Sequence, residues 1–270
     1  MKRCLLISAV SCSMMLGLVP ASGAQPQPAA NAKFDSYIDG MESRLARQHQ
    51  SPNGFLAGTD TSGNIRNGLR GGELIVEKLT PADGVELPGA MLHHWRGTTF
   101  VAGARAADAE RLMKDFNSYP QFFAPQVVQA HLIRERDEDG VDHVSASMRV
   151  CQKHVITVVM DAAYDVTFNR LDQSHGYSLS RSTRISEIEA PGTSKERTLG
   201  ASEEHGFLWR LNTYWSWEER DGGLYMQVET VSLTRSIPVG LGWAIGPFVE
   251  SVPRESLEFT LRSVCNVLRR

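Results

Sequence analysis

Few side chains in this sequence could do covalent chemistry, and they are scattered. His93 and His94 are adjacent, so a strand would send their rings to opposite faces instead of converging them on a metal. His94, Asp161 and Glu229 could serve as a general acid or base if they point into a closed site. The chain has no Gly-x-Ser-x-Gly, no His-Glu-x-x-His and no Cys-x-x-Cys. The starting residues of an elbow-type serine hydrolase, a zincin and a dithiol or zinc-ribbon site are therefore missing. Gly240-x-Gly242-x-x-x-Gly246 has the wrong glycine spacing for a dinucleotide loop, and no Lys-Ser/Thr follows as in a P-loop. Neither a metal nor a cofactor is expected.

What remains is apolar recognition, which needs aromatic walls and a few orienting polar groups. Trp209, Trp215 and Trp217 alternate along "GFLWRLNTYWSWEER", and Met148, Met160 and Tyr164 alternate in two other segments. Trp95 joins them from "MLHHW", in phase with Met91 and His93. Such stripes suit the wall of a ligand cavity, and equally a filled core. Arg181 alternates with Tyr177, Leu179, Thr183 and Ile185, a charge among largely apolar neighbours. Pointing inward, it would need a partner such as Glu229, because an unpaired buried charge is costly. Pointing outward, it is an ordinary residue of a solvated face. Ile237 to Val249 carries no charge and three glycines, with Trp243 and Phe248 available as a cover. It is too short, and too rich in proline and glycine, for a membrane span of about 20 residues. A lid over an apolar cavity and a well-packed connector are its two readings.

The elements that must position these residues follow from periodicity. Residues 1–24 read as a signal peptide: Lys2 and Arg3, a short apolar run, then Ser22-Gly23-Ala24. Export to the periplasm or the extracellular space is expected. Lys and Arg number 28 against 31 Asp and Glu, a net charge of −3, which argues against a nucleic-acid partner. Residues 25–86 form an amino-terminal extension, with a helix over 34–49, a glycine-rich loop and a strand at 73–79. Asp83-Gly84 then turns the chain into the Trp95 strand. Asp108 can cap a helix that Pro120 interrupts, giving two short helices. Four or five alternating strands come next. The chain closes with a helix starting at Pro253, whose Leu257, Leu261, Val264 and Leu268 share one face. Cys151 and Cys265 are either bridged or free.

This order, and the passages "ADAERLMKDFNSYPQFFAPQVV", "GFLWRLNTYWSWEERDGGLYMQVETVSLTRSIP" and "RESLEFTLRSV", resemble the START-like (SRPBCC) helix-grip superfamily. "LHHWRG", "VITVVMD" and "GLGWAIGP" are similar to an exported bacterial branch of it. The resemblance covers residues 87–270 and implies an α+β fold. In that fold a curved antiparallel sheet wraps around a long carboxyl-terminal helix, with two short helices after the first strand. It also implies a cavity between sheet and helix for a hydrophobic small molecule such as a lipid, a quinone or a polyketide-like compound. A transient membrane contact would suit such a carrier. A cyclase- or hydratase-type enzyme in the same cavity and an envelope scaffold with a filled core are the alternatives, since one fold hosts many functions.

Overall fold

In a computed structural model the chain is described for residues 25–51, 54–59, 63–81, 85, 87–138, 140–153, 157–237 and 242–269. The leader at 1–24, the Asp83-Gly84 turn, Ile156 and Gly240 lie outside the described residues. So do the side chains of 242–250, among them Trp243 and Phe248. In chain order the elements are α1 (Pro28–His49), α2 (Gly63–Arg70), β1 (Ile75–Lys78), β2 (Ala90–Ala102) and α3 (Ala106–Lys114). A 3-10 turn (Phe116–Ser118) and α4 (Tyr119–Phe122) follow, then β3 (Val127–Glu138), β4 (Val141–Lys153), β5 (Thr157–Arg170) and β6 (His175–Glu189). Last come β7 (Arg197–Thr198), β8 (Arg210–Arg220), β9 (Gly223–Arg235) and α5 (Gly242–Leu268).

All described strand pairs are antiparallel, in the order β1-β2-β9-β8-β6-β5-β4-β3, with β7 on β6. From β3 onward the chain is a meander, and the early strand β2 docks against the last one, β9. Helix α5 packs on one face, here called inner, with α3 and α4. Its Leu257, Leu261, Val264 and Cys265 join Trp95, Val228, Trp215, Trp217 and Tyr164 in one core. This is the helix grip implied by the resemblance.

Helix α1 covers the opposite, outer face. Ala30, Phe34, Ile38, Met41 and Leu45 recur at helical spacing and are buried against Leu92, Tyr214, Val231 and Leu233. Pro28 starts the helix, where its missing N–H costs nothing, so it begins before the expected Phe34. The following loop is pinned by Gln227. Its Oε1 accepts from Ala57 N (3.0 Å), and its Nε2 donates to Ala57 O (2.8 Å) and Thr98 Oγ1 (2.9 Å). Because both faces are covered, most of β9 is buried on both sides, which a two-layer sheet would not require.

Several expectations are revised. Among the described residues seven strands, not four or five, follow the short helices. The missed strand β3 lies at the sheet edge and ends in the exposed, charged run Arg134–Glu138, which hides its alternation. Asp108 sits in the first turn of α3 and accepts from Arg105 N (3.0 Å), with Arg105 at the cap position. Helix α5 starts at Gly242, so Pro253 lies inside it and removes only one internal hydrogen-bond donor. The second half of the uncharged stretch at 237–249 is therefore helix, not connecting loop. Cys151 and Cys265 are free thiols, and Cys265 Sγ lies 3.2 Å from Thr99 Oγ1.

Candidate ligand site on the inner face

The two faces of the sheet carry different chemistry, and the strand register shows how. On the outer face Arg96, Glu229 and Tyr214 stand side by side across β2, β9 and β8. Glu229 is 1% exposed. Its Oε2 accepts from the Arg44 guanidinium of α1 and from His94 Nε2 at 2.9 Å. A carboxylate can only accept, so Nε2 carries the hydrogen, and in the neutral ring Tyr37 donates to Nδ1 at 2.8 Å. Burial pushes the Glu229 carboxyl up, but the hydrogen bonds and charges of His94 and Arg44 outweigh it and hold it below the ordinary range. Next to it Glu42 of α1 accepts from Arg181 Nε (2.9 Å) and from the Tyr214 hydroxyl (2.8 Å). His49, at the end of the same helix, stacks on Tyr177 and lies 2.8 Å from Ser216 Oγ. Burial, helped by the Arg44 charge, lowers the His49 imidazole to about 4.

These contacts place three of the candidate residues away from the helix grip. Arg181 and Glu229 do not pair with each other; each meets a side chain of α1. Trp209 precedes β8, where Gly206 takes a positive φ of 79° and the chain bends, and its indole packs into the outer cluster. The apolar neighbours of Arg181 reflect contact with α1, since Tyr177 and Leu179 also lie against that helix.

Trp95, Met148, Tyr164, Trp215 and Trp217 do come together on the inner face. Met160 shares it by alternation with Ala162 and Tyr164. Two rows of side chains cross its middle. One runs Trp95, Thr230, Thr213, Ser180, Val166, Val144; the next runs His93, Ser232, Leu211, Ser182, Tyr164, Ala146. At one strand spacing of about 4.8 Å per step, Trp95 to Ser180 is roughly 14 Å. Between β2 and β4 neither row contains Asp, Glu, Lys or Arg, and at the sheet edges the first row continues into Lys78 of β1, opposite Trp95, and Glu135 of β3, opposite Val144. Thr230, Thr213, Ser180, Leu211 and Ser182 are only half-buried although they lie mid-sheet. Helix α5 lies along β2, away from the middle strands, which accounts for this exposure. Burial pushes the Tyr164 phenol up, so it stays a hydrogen-bond donor at neutral pH.

The Trp95 indole Nε1 is buried and has no hydrogen-bond partner among the described residues. Leaving such a donor unpaired costs about 1–3 kcal/mol, so it needs an explanation. The hydroxyl row was not among the residues singled out from the sequence. Its signal was Ser178, Ser180 and Ser182 alternating with Tyr177, Leu179 and Arg181. Hydrophobicity favoured the wrong phase, because α1 makes the outer side of β6 apolar too. A separate surface groove of about 450 Å³ opens where β6 parts from β8 and includes Trp209, Arg184 and Asp35. Of the two inner rows it touches only Ser182.

No protein-family model matches the sequence, and no curated protein matches it significantly. Solved structures similar to the chain include a STAR-related lipid transfer protein from Xanthomonas axonopodis, 17% identical, TM-score 0.43, covering 72% of this chain and 99% of that one. The Zhui aromatase/cyclase from Streptomyces sp. R1128 is 14% identical, TM-score 0.42, covering 66% and 94%. Human STARD10 is 8% identical, TM-score 0.41, covering 77% and 80%.

Proposed function

We propose that this chain is an exported binding protein that holds a hydrophobic small molecule between the inner face of its sheet and α5. The observation that carries the reading is the half-buried row Thr230, Thr213 and Ser180, set among Trp95, Trp215, Tyr164 and Met148. A core built only for packing gains nothing from hydroxyls in its middle, whereas an apolar ligand with a few oxygen functions is held and oriented by such a wall. Export rests on the leader-like residues 1–24.

Native mass spectrometry and solvent extraction of protein purified from its own host test the binding. The expected result is one apolar compound held in near-stoichiometric amount. Filling the row with Thr213→Phe and Ser180→Phe should abolish retention while the circular dichroism of the sheet is kept. Retention unchanged in a folded double variant would overturn the reading, as would wild-type protein that carries nothing and takes up no apolar probe. A mature amino terminus at Gln25 in the exported fraction is the expected result for the leader.

A further inference from the structure

We propose that the polar groove between β6 and β8 is a second binding site, separate from the inner face, and that it takes a sugar residue carrying a carboxylate. Strand β6 pairs with β8 only as far as Arg181↔Asn212, although it runs on to Glu189. Where the two part, the groove of about 450 Å³ opens, inside the range of roughly 300–1,000 Å³ usual for small-molecule sites. Its walls are held from behind. The Glu187 carboxylate, 4% exposed, accepts from the backbone N–H groups of His205 (3.0 Å), Gly206 (2.9 Å) and Phe207 (3.1 Å), which fixes the loop leading into Trp209. Gln25 Nε2 donates to Glu204 Oε2 at 3.0 Å and ties the chain entering α1 to the same loop. The walls therefore stand in place without a ligand.

The lining sets the ligand class. Thr183 and Arg184 of β6, Trp209 and Arg210 at the entry to β8, and Asn31 and Asp35 of α1 border the groove. Guanidinium, amide, hydroxyl and carboxylate groups around a single indole suit a ligand with many hydroxyls, each both donor and acceptor, and one apolar C–H face. A hydrocarbon chain would desolvate these groups and return nothing. The carboxylate on the ligand follows from Arg184. Arg210 is already held by Asp35 at 2.6 Å and lies 4.5 Å from the centre of the Phe34 ring. Arg184 is exposed, and among the described residues no carboxylate lies within ion-pair distance of it. Asp161 and Asp165 flank it on β5, two positions either side of Ala163, which stands opposite Arg184. Asp161 is taken by Arg149 (2.7 Å), and Asp165 accepts from Ser145 Oγ (3.0 Å). A free guanidinium holds a carboxylate through two parallel hydrogen bonds, a match that a neutral sugar lacks.

Three probes separate the contributions: methyl β-D-glucuronide, methyl β-D-glucoside and acetate. Each is titrated into the full chain and followed by NMR at the Trp209 indole N–H signal, assigned by its loss in Trp209→Phe. The glucuronide should bind about tenfold more tightly than either of the others. Arg184→Met should weaken the glucuronide about tenfold, to the level of the glucoside, and leave the glucoside unchanged. It should also leave Tm unchanged, because the exposed side chain has no ion pair to lose. Asn31→Ala should weaken both sugars and keep their ratio, which separates hydroxyl recognition from charge. Equal binding of the two sugars, or an Arg184→Met variant that keeps their ratio, overturns the selection for a carboxylate. Acetate binding as tightly as the glucuronide overturns the sugar class and leaves a simple anion site. If neither sugar shifts the signal, the site itself is overturned. None of these results depends on what the inner face retains.

Discussion

Glu229 shows how a residue that looks like a ligand anchor can be a structural one. Its carboxylate is 1% exposed, held by Arg44 and His94, and faces α1 instead of α5. Glu229→Gln should therefore destabilise the fold by about 3 kcal/mol, the order expected when one partner of a buried ion pair is removed. It should leave ligand retention intact; urea denaturation and extraction of the same sample measure the two effects. Retention lost from a folded variant would return Glu229 to the site. His49 predicts a pH dependence at the same interface. Its imidazole is lowered to about 4 from an ordinary 6.5, so the unfolded chain takes a proton first as the pH falls. Stability from this group is complete above about pH 6.5 and is lost between 6.5 and 4, by roughly 2 kcal/mol allowing for partial exposure. The Glu229 carboxyl is shifted downward, so its contribution is lost only at lower pH, below the ordinary carboxylate range. His49→Gln should flatten the denaturation midpoint between pH 7 and 4.5, and an unchanged slope would reject this role.

Among the elements, the contact between β2 and α5 sets how closely the helix approaches the sheet. Gly97 lies beneath it: a Cβ there would come within 2.5 Å of Leu261 Cδ1 and 3.3 Å of the Leu257 side chain. Gly97→Ala should lower stability by about 1–3 kcal/mol through overpacking, seen as a drop in Tm. No loss of stability would mean that α5 rides further from the sheet. The helical periodicities of α1 and α5 were legible because each presents one apolar stripe to one partner. Strands β8 and β5 were legible for Trp215, Trp217, Met160 and Tyr164, whose alternation matches the face they take. Strand β6 was not, because both of its sides alternate plausibly and only packing selects the phase. At Trp209 the alternation fails for a local reason, since the bend at Gly206 ends the period-two register before the strand begins.

For the whole molecule, the decisive feature is three layers: α5 with α3 and α4, the sheet, and α1 with the loop clamped by Gln227. The outer layer buries Leu92, Val231, Leu233 and Tyr214, which would otherwise face water. Removing residues 25–49 should therefore leave an aggregation-prone protein, exposing an apolar patch and a Glu229 carboxylate that has lost its Arg44 partner. Size-exclusion chromatography of the truncated chain checks this, and a soluble, cooperatively unfolding monomer would show that α1 is dispensable.

The α+β helix grip was what the resemblance implied; the amino-acid sequence by itself determined the order of the elements, the strand faces of β5 and β8, and the absence of the hydrolase, zincin and nucleotide-loop motifs. These are properties of period and spacing, which are local. Which side of β6 faces the ligand space, which charges pair, and that Arg181 and Glu229 belong to the interface with α1 were decided only by the tertiary structure. The partners Glu42 and Arg44 lie 139 and 185 positions away along the chain, and no local pattern reports contacts at that separation.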